Sequence, residues 1–175
     1  MSSAGVELEN KLAEMRRLFD QSFAAAEQRP AGTKEQMIAV TVAGKGLAVR
    51  LSEISGLAVS RGTILPVPSR VPELLGITGV RGTVVPVFSL AALLGFSSNA
   101  TEPRWLMFCG AKQAPVAFAF DELEGHFEVP GTDVYVREAE RGYVNETARD
   151  GSRLRAVIGI ARLVHQVTQR KQPGS

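Results

Sequence analysis

The stretch Gly76–Phe96 reads GITGVRGTVVPVFSLAALLGF and carries the strongest structural signal in the chain. A glycine-punctuated loop is predicted at its start, followed by an apolar β-strand over Thr83–Phe88. A short helix is predicted over Ser89–Leu94, and Gly95 ends it. The stretch therefore predicts a loop, a strand and a helical turn in direct succession.

The predicted loop combines three glycines with a single charge. Gly76, Gly79 and Gly82 allow the backbone to take positive φ and to approach a neighbouring segment closely. Arg81 stands between them and offers a planar fork of hydrogen-bond donors. No acid or base accompanies it in this stretch. The pattern is typical of a recognition point and is a poor layout for catalysis.

Composition bounds the class of protein. The chain has 175 residues, of which 45% are hydrophobic and 22% are charged, so a globular core is expected. A net charge of +2, scattered basic residues and an aromatic content of 6% argue against nucleic-acid binding. Cys109 is the only cysteine, and its apolar surroundings predict a small core residue. With no signal-peptide pattern and no apolar run near ~18 residues, the sequence predicts a soluble cytoplasmic protein without cofactor or metal.

The N-terminal segment differs from the rest of the chain. Val6–Glu27 contains no proline, and the sequence RPAG at Arg29–Gly32 ends it. An amphipathic helix is predicted, which either packs on its own domain or serves as a docking or dimer contact; both interpretations need the same apolar face. We therefore expect a helical extension over residues 1–35, a main domain over 36–170 and a tail over 171–175. The apolar stripe consists of Leu8, Leu12, Met15, Phe19, Phe23 and Ala26.

From Met37 onward the pattern is that of a β protein. Met37–Val42 and Leu47–Leu51 flank turn residues and predict a hairpin. Trp105–Cys109 and Val116–Phe120 predict a second hairpin of the same kind.

Two further signals concern single strands and the C-terminus. Asp150-Gly151 predicts a turn before a strand over Leu154–Ile160, and Ala161–Gln169 predicts a closing helix. Pro86 lies inside a strand-like run, which predicts an edge strand or a bulge because proline lacks an N–H donor.

The β region repeats itself. Val49–Gly56 aligns with Phe118–Gly125 at an offset of 69, and Thr83–Leu94 aligns with Arg153–Val164 at an offset of 70. This period is too long for a solenoid. It predicts two small barrels of about five strands, one from each half of the repeat, each of which depends on the other for its core.

The region from about Met37 to Gln169 resembles the CheW-like domain of bacterial chemotaxis coupling proteins. The resemblance implies a mostly β fold of two SH3-like five-stranded barrel subdomains packed together; the N-terminal amphipathic helix and the short C-terminal helix complete the expected fold. The resemblance to this family rests on five segments: LAVRL at Leu47–Leu51 with Ile54, ILPVP at Ile64–Pro68, GITGVRGTVVPVFSL at Gly76–Leu90, FDELEG at Phe120–Gly125 and DGSRL at Asp150–Leu154.

The resemblance also implies a scaffold rather than an enzyme. Family members join the cytoplasmic tips of chemoreceptors to the regulatory domain of a CheA-type histidine kinase. The receptor tip docks in a groove between the subdomains, and a barrel end contacts the kinase. Arg81 is then expected as a polar anchor beside an apolar patch. Carried over by position, the partner contacts are Ile54, Gly56, Leu75, Gly76, Gly79, Val80, Arg81 and Gly82.

Three positions depart from the family pattern. Gly79 replaces a usual asparagine, Gly56 replaces a frequent glutamate, and Ser89 replaces a usual aspartate. These changes predict a divergent coupling protein in which one partner contact, foremost that with the kinase, is weakened or lost. An accessory protein that binds receptors or another CheW-like protein, but does not couple to the kinase, is the alternative.

Other interpretations of single residues stay open on sequence alone. Arg81 could pair with Asp121 rather than with a partner protein. The acidic run Asp121–Glu124 suggests a solvated turn rather than a calcium loop. His126 and His165 lack metal-ligand spacing. A small β-barrel that binds a ligand or nucleic acid is the alternative of another class, and no nucleophile or nucleotide motif supports an enzyme.

Overall fold

Residues 34–97, 103–136 and 142–170 are described by a computed structural model. The predicted N-terminal helix over Val6–Glu27 and the tail 171–175 lie outside these residues. The predicted C-terminal helix is present from Ile160 to Gln169. The strands are β1 (Lys34–Val42), β2 (Lys45–Arg50), β3 (Gly56–Val59), β4 (Leu74–Val80), β5 (Thr83–Ser89), β6 (Trp105–Cys109), β7 (Val116–Phe120), β8 (Glu122–Pro130), β9 (Val134–Val136), β10 (Val144–Asp150) and β11 (Arg153–Ile158), and the helices are α1 (Leu90–Leu93) and α2 (Ile160–Gln169), with 3-10 turns at Leu51–Glu53 and Gly131–Asp133.

The strands form two sheets. The first has the order β8-β1-β2-β11-β10-β9, and the second has the order β3-β6-β7-β5-β4. Both predicted hairpins are confirmed, since β1 pairs with β2 and β6 pairs with β7 in antiparallel register. The first sheet has six strands rather than the expected five, because β9 adds an edge beside β10.

The two sheets do not correspond to the two halves of the sequence repeat. Hairpin β1–β2 of the first half pairs with β8 and β11 of the second half. Hairpin β6–β7 of the second half pairs with β3 and β5 of the first half. The prediction of one barrel per half was therefore wrong. Each hairpin has the same alternation of apolar residues, so the sequence pattern does not determine which set of strands it joins.

The central core is explained by the alternation within the strands. In β7, which reads VAFAF, Val116, Phe118 and Phe120 belong to a large cluster that joins strands of both sheets with both helices. Ala117 and Ala119 point the other way, into a smaller cluster confined to the second sheet. The large side chains thus hold the sheets together, and the small ones fit the narrow interior of one sheet.

Pro86 does not lie on an edge strand, contrary to the sequence prediction. β5 lies between β4 and β7, and the only bulge in its ladder with β4 is on β4, between Leu74 and Gly76. The Ser89 N–H donates to Glu73 O, which lies on the β4 side of β5. Because successive N–H groups of a strand point to opposite sides, the nitrogen of Pro86, three residues earlier, points toward β7. The β5–β7 ladder begins one residue later, at Val87. Proline is tolerated because no ladder bond is required of it there.

Helix α2 takes its N-terminal partner from a distant part of the chain. The Ile160 N–H donates to Glu53 Oε2 at 2.8 Å, and Gly159 at the N-cap offers no side chain. A carboxylate at this place satisfies an otherwise unpaired donor and interacts favourably with the helix dipole. Glu53 therefore links the turn after β2 to the C-terminal helix.

Substituting Glu53 by alanine is expected to lower the free energy of unfolding by about 1 kcal/mol, the usual cost of a lost helix cap. Urea unfolding followed by circular dichroism measures this loss. Glu53→Gln keeps the acceptor oxygen and removes only the charge, so its loss should be smaller. Equal stability of Glu53→Ala and the wild type would contradict the linking role.

Candidate functional site

The loop predicted around Arg81 is much shorter than the sequence suggested. β4 runs to Val80 and β5 begins at Thr83, so only Arg81 and Gly82 form the turn. Their φ angles are 48° and 80°, as a two-residue hairpin turn with two positive φ angles requires. Gly76 and Gly79 lie within strand β4 rather than in a loop. The predicted loop there was wrong because the ladder with β5 keeps this glycine-rich segment extended.

Arg81 is exposed at the tip of this hairpin. A non-glycine residue at positive φ is strained, and such strain often marks a functional position. Among the described residues, Arg81 makes no ion pair or side-chain hydrogen bond. The suggested partner Asp121 instead accepts a hydrogen bond from the Ala43 N–H at 2.6 Å. The Arg81 guanidinium therefore remains available, within the described part of the chain, to an external partner.

Gly76 has a structural reason to be glycine. Leu65 and Ile77 exchange two backbone hydrogen bonds, of 2.8 and 2.9 Å, directly beside it. A Cβ atom at Gly76 would lie 2.1 Å from the Leu65 carbonyl oxygen, and φ is +154°. The residue is buried. Gly76 is therefore glycine because the Leu65 segment lies directly against β4 at this point.

The β4–β5 hairpin has an inner and an outer face. Val80 and Leu75 pack against the small core of the second sheet, so they are half-buried supports rather than a free patch. The outer face carries Val84, opposite Gly79 in the ladder. A Cβ atom at Gly79 would meet no atom within 4 Å. This face therefore leaves room where the family usually has a side chain.

Ile54 and Gly56 lie at the other edge of the second sheet. Ile54 follows the 3-10 turn Leu51–Glu53 and packs on the central core. Gly56 begins β3 opposite Phe108, and a Cβ atom there would be 3.9 Å from Phe108 Cδ2, an ordinary contact distance. In the sheet order β3 and β4 are the two end strands, and the β4–β5 hairpin carries the other six predicted contacts. Phe108, beside Gly56, packs on the same small core as Leu75 and Val80.

Two exposed apolar residues were missed by the sequence prediction. Leu65 and Val84 are 64% and 65% exposed and lie on the outer face beside Ile77 and Gly79. The signal for Val84 was present in the alternation of TVVPVF, which places it on the face opposite Val85. Leu65 gave no signal, because nothing in its own sequence predicts its bridge to Ile77.

Among the described residues, Cys109 and the His, Asp and Glu side chains are the candidates for a nucleophile or a metal site. Cys109 is buried as predicted, and burial raises the pKa of its thiol to about 12, so the reactive thiolate is disfavoured. In the described part of the chain no group of three or more His, Cys, Asp or Glu residues could hold a metal ion. His126 contacts Gln36, and His165 contacts Gln169.

No helix within residues 34–97, 103–136 and 142–170 is long and apolar enough to cross a bilayer.

Comparison with known proteins places this arrangement in a family. Residues 36–168 match the CheW-like domain. The chain belongs to the CheW-like family. The crystal structure of the scaffolding protein TtCheW from Thermoanaerobacter tengcongensis is similar, with a TM-score of 0.63 and 13% identity over 72% of this chain and 89% of that chain. None of the curated proteins matches this chain.

The match confirms the predicted CheW-like, mostly β fold. CheW-like proteins are scaffolds or adaptors rather than enzymes. The exposed β4–β5 turn with Arg81 is therefore a feature of an adaptor fold, and its interpretation as a contact site belongs to the proposal that follows.

Proposed function

We propose that this CheW-like protein is a cytoplasmic, non-enzymatic adaptor that couples chemoreceptor signalling tips to the regulatory domain of a CheA-type histidine kinase. One observation supports this most directly. Arg81 is held at positive φ on an exposed two-residue turn, and none of the described residues pairs with its guanidinium. A strained, unpaired arginine at the tip of a rigid hairpin is suited to bind a partner's carboxylate or carbonyl groups.

In this proposal the hairpin provides a preorganised contact. Val80 and Leu75 are fixed by the small core beneath them, so the turn loses little freedom on binding. The eight predicted contact residues serve in two groups, at β3 and at the β4–β5 hairpin. We take residues 36–170 as the adaptor domain and 1–35 as its extension.

Replacing Arg81 by glycine is expected to raise the free energy of unfolding by about 0.5–1 kcal/mol, because glycine tolerates positive φ without a Cβ clash. The same variant should lose roughly tenfold or more in affinity for a receptor-tip fragment, the usual cost of truncating an interface arginine. Calorimetric titration of the receptor tip and urea unfolding give the two values. Greater stability with weaker binding is the combined result that a purely structural arginine would not produce.

Arg81→Lys is the matched control, since it keeps the charge and loses the planar fork. Its affinity should lie between that of the wild type and that of Arg81→Gly. If all three proteins bind the receptor tip equally, Arg81 is not a contact residue. If Arg81→Gly fails to fold, the turn needs the arginine for structure instead.

The accessory interpretation is the second candidate, and the open space at Gly79 and Gly56 favours it. Both positions have room for the side chain that the family usually places there. Titration with the CheA-type regulatory domain from the same organism distinguishes the two. Micromolar or tighter binding supports coupling, whereas no binding by a protein that does bind the receptor tip supports an accessory role.

A further inference from the structure

Three strands of the first sheet contribute little to the apolar core. We call β8, β9 and β10 the outer strands, and β1, β2 and β11 the inner strands. Among the side chains that the structure describes in the outer strands, only Val129 and Ala148 are buried. By contrast, all five residues of β7 in the second sheet are buried. A region with so few buried apolar contacts is expected to open at a lower free energy than the rest of the protein.

Ion pairs supplement this small apolar contact. Carboxylates of the outer strands pair with cations of the inner strands in four places: Glu128 with Lys34, Glu146 with Arg50, and both Glu124 and Asp150 with Arg155. The cationic side chains differ in exposure, at 71% for Lys34, 23% for Arg50 and 6% for Arg155. Solvent screens the exposed pairs, so removal of Arg155 is expected to weaken the attachment of the outer strands most.

Arg155 reaches both outer strands because β8 contains a bulge. The ladder of β8 with β1 shifts by one residue between Ala39 and Val40, and Glu124 is the residue of β8 without a partner on β1. Such a bulge re-aims a side chain. Glu124 accepts hydrogen bonds from Arg155 at 3.1 and 2.6 Å, although β1 and β2 lie between their strands in the sheet order. One guanidinium therefore joins the start of β8 to the end of β10, where Asp150 accepts from it at 2.9 Å.

The second sheet is closed by apolar side chains at the corresponding place. Val85 corresponds to Arg155 in the sequence repeat, at an offset of 70, and it is buried in the small core of its own sheet. The five strands of this sheet contain no charged residue. The two sheets are therefore closed by different means, and charged side chains of the strands take part only in the first.

The inner strands are anchored independently of the outer strands. Val40 on β1 and Val49 on β2 are buried in the central core, which joins strands of both sheets with both helices. Met37 and Ala48 belong instead to a small cluster shared with β8 and β10. Detachment of the outer strands would uncover this small cluster and leave the central core in place.

We propose that the outer strands open as a unit while the second sheet stays folded, and that the ion pairs of Arg155 are the contact that keeps them closed. This inference does not depend on the proposed function. In the opened form the inner strands keep their packing on the central core, and the β4–β5 hairpin with Arg81 lies on the sheet that stays folded.

Acid is expected to release the same contact. The pKa of Glu124 lies below its ordinary value, first because Arg155 donates hydrogen bonds to its carboxylate and second because Thr41 does. The closed form is therefore favoured above the ordinary pKa of 4.5, and this advantage is lost as the pH falls through the lower folded value. The groups that face this contact are Glu124 from β8, Asp150 from β10, Arg155 and Arg153 from β11, the uncharged Thr41 from β1, and Gly46, which has no side chain, from β2.

The test follows the full-length protein in increasing urea with two readouts. Hydrogen exchange measured by mass spectrometry reports on β8 and β10, and the fluorescence of Trp105, the only tryptophan, reports on β6 of the second sheet. Without urea, Arg155→Met should raise the rate of exchange in β8 and β10 about 100-fold or more. In this variant the protection of β8 and β10 should be lost at a urea concentration at which Trp105 still fluoresces as in the folded protein.

Arg50→Met is the matched control, because Arg50 also pairs with a carboxylate of β10 but is more exposed. Its exchange in β8 and β10 should rise by less than about tenfold. Where Arg155→Met does not fold, Glu124→Gln removes one charge at nearly the same size and is judged by the same criterion. Coincident loss of the two signals overturns the inference, as does loss of the Trp105 signal first or an equal rise of exchange in Arg50→Met.

Acid titration of the wild type gives an independent check with the same two readouts. The protection of β8 and β10 should be lost at a higher pH than the one at which Trp105 fluorescence changes. A single acid transition seen by both readouts would show that the first sheet does not open separately, and it would overturn the inference.

Discussion

Replacing Gly76 by alanine is expected to lower the free energy of unfolding by about 3 kcal/mol or to prevent folding. The added Cβ would lie 2.1 Å from the Leu65 carbonyl oxygen, and a backbone atom is less able to move aside than the end of a flexible side chain. A φ of +154° adds strain for any residue with a Cβ. Chemical unfolding of purified protein, or the soluble yield where it does not fold, measures the effect.

Gly79→Ala on the same strand is the matched control. Its Cβ would meet no atom within 4 Å, so the substitution should be neutral or stabilise by about 0.5 kcal/mol through reduced freedom of the unfolded chain. Equal effects at the two positions would mean that the Leu65 segment can withdraw from β4 at little cost, and that Gly76 is not required for the outer face.

Replacing Arg155 by methionine is expected to cost about 3 kcal/mol. This side chain is only 6% exposed and joins three strands, since it donates to Glu124 on β8 and to Asp150 on β10 from its own place on β11. Methionine fills a similar volume but leaves both carboxylates without their counter-ion. The midpoint of urea unfolding at neutral pH reports the loss.

The same ion pair predicts a dependence on pH. The pKa of Glu124 lies below its ordinary value of 4.5, first because Arg155 donates hydrogen bonds to its carboxylate and second because Thr41 does. The stabilisation is therefore complete above the unfolded pKa, near 4.5, and is lost as the pH falls through the lower folded pKa. Arg155→Met should flatten this decline in acid, and an unchanged acid profile would contradict the assignment.

Arg50→Met is the comparison for Arg155. Arg50 also contacts two carboxylates, Glu35 and Glu146, but its side chain is 23% exposed. Solvent screens such a pair, so Arg50→Met should lower the free energy of unfolding by less than about 1 kcal/mol. If Arg50→Met lowered the free energy of unfolding more than Arg155→Met does, burial would not determine which ion pair contributes more to stability.

Most elements of this fold follow from local pattern. The hairpins β1–β2 and β6–β7, the helix after Ser89 and the buried Cys109 were predicted because alternation and turn residues act over a few positions. The Ser89 hydroxyl caps this helix by accepting a hydrogen bond from the Ala92 N–H, at 3.2 Å, a role that was not predicted. The internal repeat predicted two small barrels and the family resemblance agreed with it, but neither determined which strands each sheet contains.

What the sequence did not reveal depends on distant contacts. The acidic run Asp121–Glu124 suggests a solvated turn in the sequence, yet Glu124 lies on β8 and pairs with Arg155, which is 31 residues away. The strand placement of Gly76 depends on its pairing with β5 and on Leu65. The roles of the predicted contact residues stay predictions, because they depend on partner proteins rather than on this chain.

Each hairpin pairs with strands from the other half of the sequence repeat, and this arrangement has a consequence for biosynthesis. The strands of the second sheet come from one continuous stretch, Gly56–Phe120, whereas the first sheet needs strands on both sides of it. On the ribosome the second sheet can assemble once β7 has emerged. The hairpin β1–β2, made first, must wait for β8 and β11 with its apolar side chains uncovered. The nascent chain is therefore most exposed to aggregation and chaperone binding before its C-terminal strands are synthesised.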